Sequence, residues 1–238
     1  MIRDDARVLL RLLRGQPRTG SHAERLQAFY SPQAEDYDRF RERLLQGRTA
    51  LMEQLDPPPG SRIVELGGGT GRNLLSFGSR LANFASVELV DLCPALLAQA
   101  RQRTTGMRNV QIIEADACTW RPAIAPDVVY LSYALTMIPD WQLAILNAIA
   151  MLRPGGTLGV VDFYVSDASG RPGNVRHDAF TRWFWPRWFG HDGVHPNPDH
   201  LRLLRERLPQ HRFQEHRAPV PYLPGLRVPY YLFIGQRA

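Results

Sequence analysis

The chain has 238 residues and no lysine; all 29 of its basic residues are arginine. Set against 23 Asp and Glu, this leaves a net charge of 29 − 23 = +6, a balance that favours anionic partners without choosing between RNA and lipid. The arginines are scattered and form no single stripe, so no nucleic-acid partner is expected. Cysteine is almost missing too. Cys93 and Cys118 have neither the density of a secreted disulfide scaffold nor the spacing of a thiolate metal site, which predicts two buried thiols in a reducing cytoplasm. No stretch approaches the roughly 20 apolar residues that span a bilayer, and the acidic, weakly apolar N-terminus does not read as a signal peptide. No internal repeat is visible. The length suits one α/β domain with additions, large enough to bury a core without disulfides.

Residues 63–71 read Ile-Val-Glu-Leu-Gly-Gly-Gly-Thr-Gly. This is an apolar strand delivering Glu65 and then the alternate glycines Gly67, Gly69 and Gly71 into a helix start, where free N–H groups and bare backbone admit a ligand. A dinucleotide fingerprint requires glycine at 72, where this chain has arginine. A carboxylate at Glu65 would repel a pyrophosphate and attract the amino group and sulfonium of S-adenosyl-L-methionine (SAM). The next apolar strand ends in Asp91, 20 residues after Gly71, where an acidic side chain meets ribose hydroxyls. A third ends in Asp116-Ala117, placed to accept an adenine amino group. This series resembles the class I SAM-dependent methyltransferases.

Strands at 62–66, 86–91, 109–114 and 127–132 alternate with helices at 72–82 and 94–103, which predicts a parallel sheet. A helix over 141–152, a strand over 157–163, a helix from about Pro198 and closing strands near 211–217 and 228–236 follow. The resemblance implies a Rossmann-like seven-stranded sheet with helices on both faces. Residues 1–56 read as an N-terminal helical cap, 60–164 as the SAM-binding core, 165–200 as an aromatic-rich insertion and 201–238 as the closing helix and strands. Within the cap, 2–14 has the pattern of a short basic amphipathic helix, and 27–55 reads as a second helical region over the cofactor cleft. The insertion carries Trp183, Phe184, Trp185, Trp188 and Phe189. It reads as loop-rich, with no obvious facing surface, and is expected to be a lid, an acyl-chain groove or a membrane contact. His191 and His195 are four apart, but Asp192-Gly193 interrupts and no third ligand is evident, so no metal is expected.

Four segments narrow the resemblance: Tyr37-Asp38 with Gly47-Arg48, Gly71 to Leu74, Ser132 to Trp141, and His191 to His195 with Asp199-His200-Leu201. Together with Val228 to Gly235 they resemble the betaine-lipid N-methyltransferases, in which the amine of a diacylglyceryl homoserine is methylated. That resemblance implies an amine-headgroup lipid as substrate and work at the inner membrane face. It implies SAM contacts from Tyr37, Arg48, Asn73, Leu92 and Ser132 besides the motif residues. Where related enzymes commonly carry cysteine or another small residue, this chain has Gly68. Phosphatidylethanolamine or a small soluble amine is the alternative acceptor, and a non-catalytic membrane-binding module the alternative of another class. Candidate bases are Tyr133, Asp140, His191 and His195, although Asp140 is also placed to cap a helix. Tyr30, Tyr37, Tyr133 and Trp141 are candidate faces for a methylated ammonium.

Overall fold

The computed structural model describes residues 19–30, 43–168, 176–221, 223 and 225–238. The proposed basic helix at 2–14 and Tyr37 lie outside these residues. Six α-helices are described: α1 (His22–Tyr30), α2 (Arg48–Leu55), α3 (Pro94–Arg103), α4 (Trp141–Met151), α5 (Ala179–Gly190) and α6 (Pro198–Arg207). The strands are β1 (Arg62–Leu66), β2 (Ser86–Asp91), β3 (Val110–Glu114), β4 (Val128–Ser132), β5 (Thr157–Phe163), β6 (His211–Pro219) and β7 (Arg227–Gln236).

They form one sheet in the order β3-β2-β1-β4-β5-β7-β6. The first five are parallel, and β7 inserts antiparallel between β5 and β6. Strand order reverses between β1 and β4, so the crevice beyond their carboxyl ends is where an open α/β sheet takes its ligand. The sequence explains the centre: β4, Val-Val-Tyr-Leu-Ser, is buried at every position, as a strand covered on both faces must be. One face packs Ile63, Leu89, Tyr130 and Val161 against α2, α3 and α5. The other packs Val64, Leu131 and Val160 against α4 and α6.

Two local readings change. The segment Arg72–Asn83 is 3₁₀ rather than α, broken at Gly78, whose φ of 56 and ψ of −136 no helix permits. The region 27–55 is not one helix: α1 starts at His22 and ends at Tyr30, and α2 starts at Arg48 behind Gly47, whose φ is 81.

The larger correction concerns the insertion. Residues 179–190 form α5, capped by Asp178, which accepts from the Thr181 amide at 2.7 Å. It has a facing surface after all. Trp185 is 1% exposed and Phe189 4%, and Phe189 stacks on Phe163 of β5 with ring centres 4.8 Å apart. His177 at its entrance is fixed as well. The Ser166 amide donates to Nδ1 at 3.0 Å, so Nε2 carries the proton and donates to Glu215 of β6 at 2.7 Å.

Candidate active site

The carboxyl ends of β1, β2 and β3, the loop after β4 and helix α1 enclose a cavity of about 320 Å³, within the roughly 300–1,000 Å³ usual for small-molecule sites. Of the residues expected to bind the cofactor, Gly67, Gly69, Asp91, Leu92, Asp116 and Ala117 are on its lining. Tyr133 and Asp140 also line it.

The strand-end carboxylates are held by backbone amides. Asp91 Oδ2 accepts from Gly69 N at 2.9 Å and Oδ1 from Cys93 N at 2.8 Å, so this side chain both faces the cavity and anchors the glycine turn. Asp116 Oδ1 accepts from Cys118 N at 2.8 Å. Gly67 has a φ of 70, and a Cβ there would stand 2.5 Å from Ala134 Cβ. Gly68 has a stronger consequence than the sequence suggested. A Cβ would meet Leu89 Cγ at 2.5 Å and Glu65 Cδ at 3.0 Å, so the cysteine found at the corresponding place in the resembled enzymes has no room here.

Glu65 does not face the cavity as a free carboxylate. It is fully buried behind the glycine turn, accepting from Asn73 Nδ2 at 2.6 Å and from the Tyr130 hydroxyl at 2.9 Å. Burial pushes its pKa up to about 7; the bonds from Asn73 and Tyr130 and the charge of Arg48 oppose that rise. Glu65 is not on the cavity lining, and the partners the structure gives it are Asn73 and Tyr130, where a direct ion pair with the donor was expected.

Four other expected cofactor ligands, Arg48, Gly71, Asn73 and Ser132, do not line this cavity. Asn73 is engaged by Glu65, and Arg48 Nη1 donates to Asn73 Oδ1 at 3.5 Å. Both line a second, polar cavity of about 690 Å³ beside Arg72 and Tyr230. Ser132 is buried, and its hydroxyl has no hydrogen-bond partner among the described residues.

The candidate bases separate. Tyr133 (φ 55) is buried against Phe163, ring centres 4.5 Å apart, and its hydroxyl donates to the Gln46 carbonyl at 2.6 Å. Its proton is thus committed to the backbone. Asp140 is exposed at the rim and precedes α4 without a side-chain cap bond. His191 and His195 are exposed and do not line the cavity; what reaches the site from His195 is its amide, which donates to the Thr136 carbonyl at 2.7 Å. Trp141 packs on buried His200, ring centres 4.5 Å apart, and is not on the lining. Burial pushes His200 down to about 3, which keeps it neutral.

Met137 and Ile138, from the segment Ser132 to Trp141 expected at the acceptor edge, line the cavity. Leu26 and Leu96 were not anticipated there, nor was Cys118, expected to be a buried thiol but only partly covered. Helix α1 is pinned over the opening by Gln27 Oε1, which accepts from Ala95 N at 3.1 Å, and by the Tyr30 hydroxyl, which donates to Met137 Sδ at 3.2 Å. Below the loop, Asp162 accepts from Thr136 Oγ1 at 2.7 Å and Thr136 N at 3.2 Å. Burial raises Asp162 to about 7. The donor set suits SAM: Asp91 and Asp116 can accept from hydroxyl and amino groups, and Leu92, Leu96, Ala117 and Ile138 can enclose a flat ring between them.

The chain matches the family described as "Methyltransferase domain" over residues 37–216. It is 31% identical over 125 residues, 52% of this chain and 47% of the relative, to a trans-aconitate 2-methyltransferase of Variovorax paradoxus (strain S110). It spans about half the length of that relative. It is 27% identical to the ubiquinone/menaquinone biosynthesis C-methyltransferase UbiE of Ectopseudomonas mendocina (strain ymp), over 81% of this chain and 77% of the relative. In fold it is similar to Haemonchus contortus phosphoethanolamine N-methyltransferase 2, solved with phosphomonomethylethanolamine and S-adenosylhomocysteine. That likeness has a TM-score of 0.66 at 13% identity, covering 89% of this chain and 60% of the other. Glycine turn, strand-end carboxylates, sheet order and family match agree: this chain belongs to the methyltransferase-domain family, in its class I, SAM-dependent form.

Proposed function

We propose that the protein methylates the amine of a lipid headgroup, with diacylglyceryl homoserine the first candidate acceptor. The reading is supported by the apolar and aromatic part of the cavity lining: Leu26, Tyr30, Tyr133 and Met137 share the cavity with the carboxylates Asp91 and Asp116. Two of the four aromatic faces proposed for a methylated ammonium, Tyr30 and Tyr133, are on that lining.

When bound, SAM supplies a methyl group on a sulfonium centre. Asp91 and Asp116 would hold its ribose and adenine, each carboxylate already oriented by a backbone amide. Helix α1 and Met137 exclude water from the acceptor side. In-line displacement needs alignment more than acid–base help. The Tyr133 hydroxyl is held by the Gln46 carbonyl, which fixes its ring on the cavity lining as a face for the amine. An amine with a reference pKa of about 7.7 to 8.0 is partly neutral at physiological pH, and a neighbouring positive charge increases that fraction, so no dedicated base is required. Arg48 lies on the neighbouring polar cavity, and in this reading its guanidinium serves a carboxylate of the acceptor.

The test is incubation with labelled SAM and, separately, diacylglyceryl homoserine, phosphatidylethanolamine and trans-aconitate, with products identified by mass spectrometry. Methyl increments on the homoserine lipid are expected. Label on phosphatidylethanolamine alone would move the assignment to that headgroup, and label on trans-aconitate alone would overturn the lipid reading.

A further inference from the structure

Helix α5 carries aromatic rings on two faces; half-buried Phe184 and Trp188 also pack against the core, so on the second face only Phe180 and Trp183 stand clear of it. Trp185 and Phe189 are buried, yet Phe180 is 52% exposed and Trp183 54%. Isolated exposed apolar side chains are ordinary, but these are not isolated. Phe180, Trp183, Phe184, Arg187 and Trp188 follow the i, i+3, i+4, i+7, i+8 spacing of one helical stripe. The rings are stacked: Phe180 on Phe184 with centres 5.2 Å apart, and Phe184 on Trp188 at 5.7 Å. Arg187 lies over the Trp183 ring at 5.0 Å and donates to the Trp183 carbonyl at 3.1 Å. The stripe continues inward as a chain of rings: Phe184 to Trp185 at 5.0 Å, Trp185 to Phe189 at 5.5 Å, Phe189 to Phe163 at 4.8 Å and Phe163 to Tyr133 at 4.5 Å. Tyr133 lines the catalytic cavity.

We infer that the Phe180–Trp183–Arg187 face of α5 is a docking surface for an anionic lipid bilayer, which it meets with the helix lying in the headgroup plane. Charge selects this occupant. Residues 176–190 hold three arginines, Arg176, Arg182 and Arg187, against one carboxylate, Asp178, whose oxygens are occupied by Thr181. A second copy of this chain, with the same arginine-flanked stripe and net charge of +6, would meet it with like charge, whereas acidic headgroups meet it with opposite charge. Tryptophan and arginine side by side are suited to the headgroup boundary, where a ring is partly buried and a guanidinium stays wet. A stripe on a convex helix offers no enclosure to a small soluble molecule. The inference deepens the lipid-amine reading by naming the surface that meets the substrate's membrane, and it rests on that reading for its biological sense.

The test uses the full chain with amine-free vesicles and no SAM: phosphatidylcholine alone, or mixed with phosphatidylglycerol, scored by flotation. The wild-type chain is expected to float with the phosphatidylglycerol vesicles. The double substitution Phe180→Ser/Trp183→Ser should bind about tenfold more weakly or worse, from lost apolar burial, with its thermal melting unchanged. Arg187→Gln and raised salt should each weaken binding. Wild-type protein that stays unbound, or a double variant that binds as well as wild type, would overturn the inference. So would a wild-type dimer in sedimentation that the double variant dissociates, without vesicle binding. A short-chain lipid amine in solution separates the two claims. Its methylation without vesicle binding refutes the docking surface alone; vesicle binding without methylation of any lipid amine refutes the acceptor reading alone.

Discussion

The two halves of the cavity are held in different ways. On the nucleotide side, Asp91 and Asp116 are oriented by the amides of Gly69, Cys93 and Cys118, all within 22 residues of the carboxylate they serve. On the acceptor side, positions depend on distant partners. Tyr133 is set by Gln46, 87 residues away; Met137 is met by Tyr30, 107 residues away; the 133–137 turn is fastened from below by Asp162. The first half is a local strand-and-turn device that any donor-binding relative can reuse, while the second exists only once the whole chain has folded. Donor chemistry is correspondingly fixed by the family, and acceptor chemistry is where this chain can differ.

That contrast can be broken most forcefully at α5. Trp185→Ala should destabilise the fold by about 3–5 kcal/mol, because it empties a fully buried ring site, and urea denaturation will read it directly. Trp185 is therefore a packing residue, and a selective effect on lipid turnover, the natural expectation for a loop-borne tryptophan, is not expected. Next comes the donor half. Asp91→Ala should weaken SAM binding about 100-fold in calorimetry, since the loss of charge-assisted hydrogen bonds to ligand and turn corresponds to roughly 1.5–3 kcal/mol each. Unchanged affinity would show that the nucleotide half does not work through this carboxylate.

A third, smaller effect concerns pH. Glu65 is raised from its ordinary value of 4.5 to about 7 in the folded chain. Between those values the native state holds a proton that the unfolded state has released, so stability falls as pH rises through that window and the full cost is present above about 7. Asp162, raised from 3.8 to about 7, acts in the same direction. Glu65→Gln should flatten the decline between pH 5 and 8 by an amount on the order of 1 kcal/mol, measured by denaturant titration at each pH. The smallest effect is expected at the two rim histidines. His191→Ala and His195→Ala should each leave the methylation rate within about twofold, whereas loss of a true general base costs roughly 10²–10⁴.

How much of this was legible in the sequence follows the same division. Sheet strands, the glycine turn, Asp91, Leu92, Asp116 and Ala117 could be read because strand period, turn chemistry and carboxylate lie next to each other in the chain. Leu26 and Leu96 could not, since only tertiary packing brings α1 and α3 to this cavity. Helix α5 was misread as loop for two physical reasons. Its six aromatic residues and the internal Pro186 oppose helix formation locally, and the ring that rewards it, Phe163, belongs to a strand upstream. Glu65 was placed correctly in the motif but given the wrong contact, because its partners Tyr130 and Asn73 come from β4 and the 3₁₀ segment.

The Asn73–Glu65–Tyr130 series, buried behind partly exposed Arg48, also couples ligand capture to proton exchange. Burial pushes the Glu65 pKa up to about 7, and a positive ligand arriving in front of Gly67 favours the ionised form, so ligand uptake near neutral pH is expected to release protons. Heats of SAM uptake should then differ between phosphate and Tris in proportion to the ionisation enthalpies of those buffers, and the difference should vanish in Glu65→Gln.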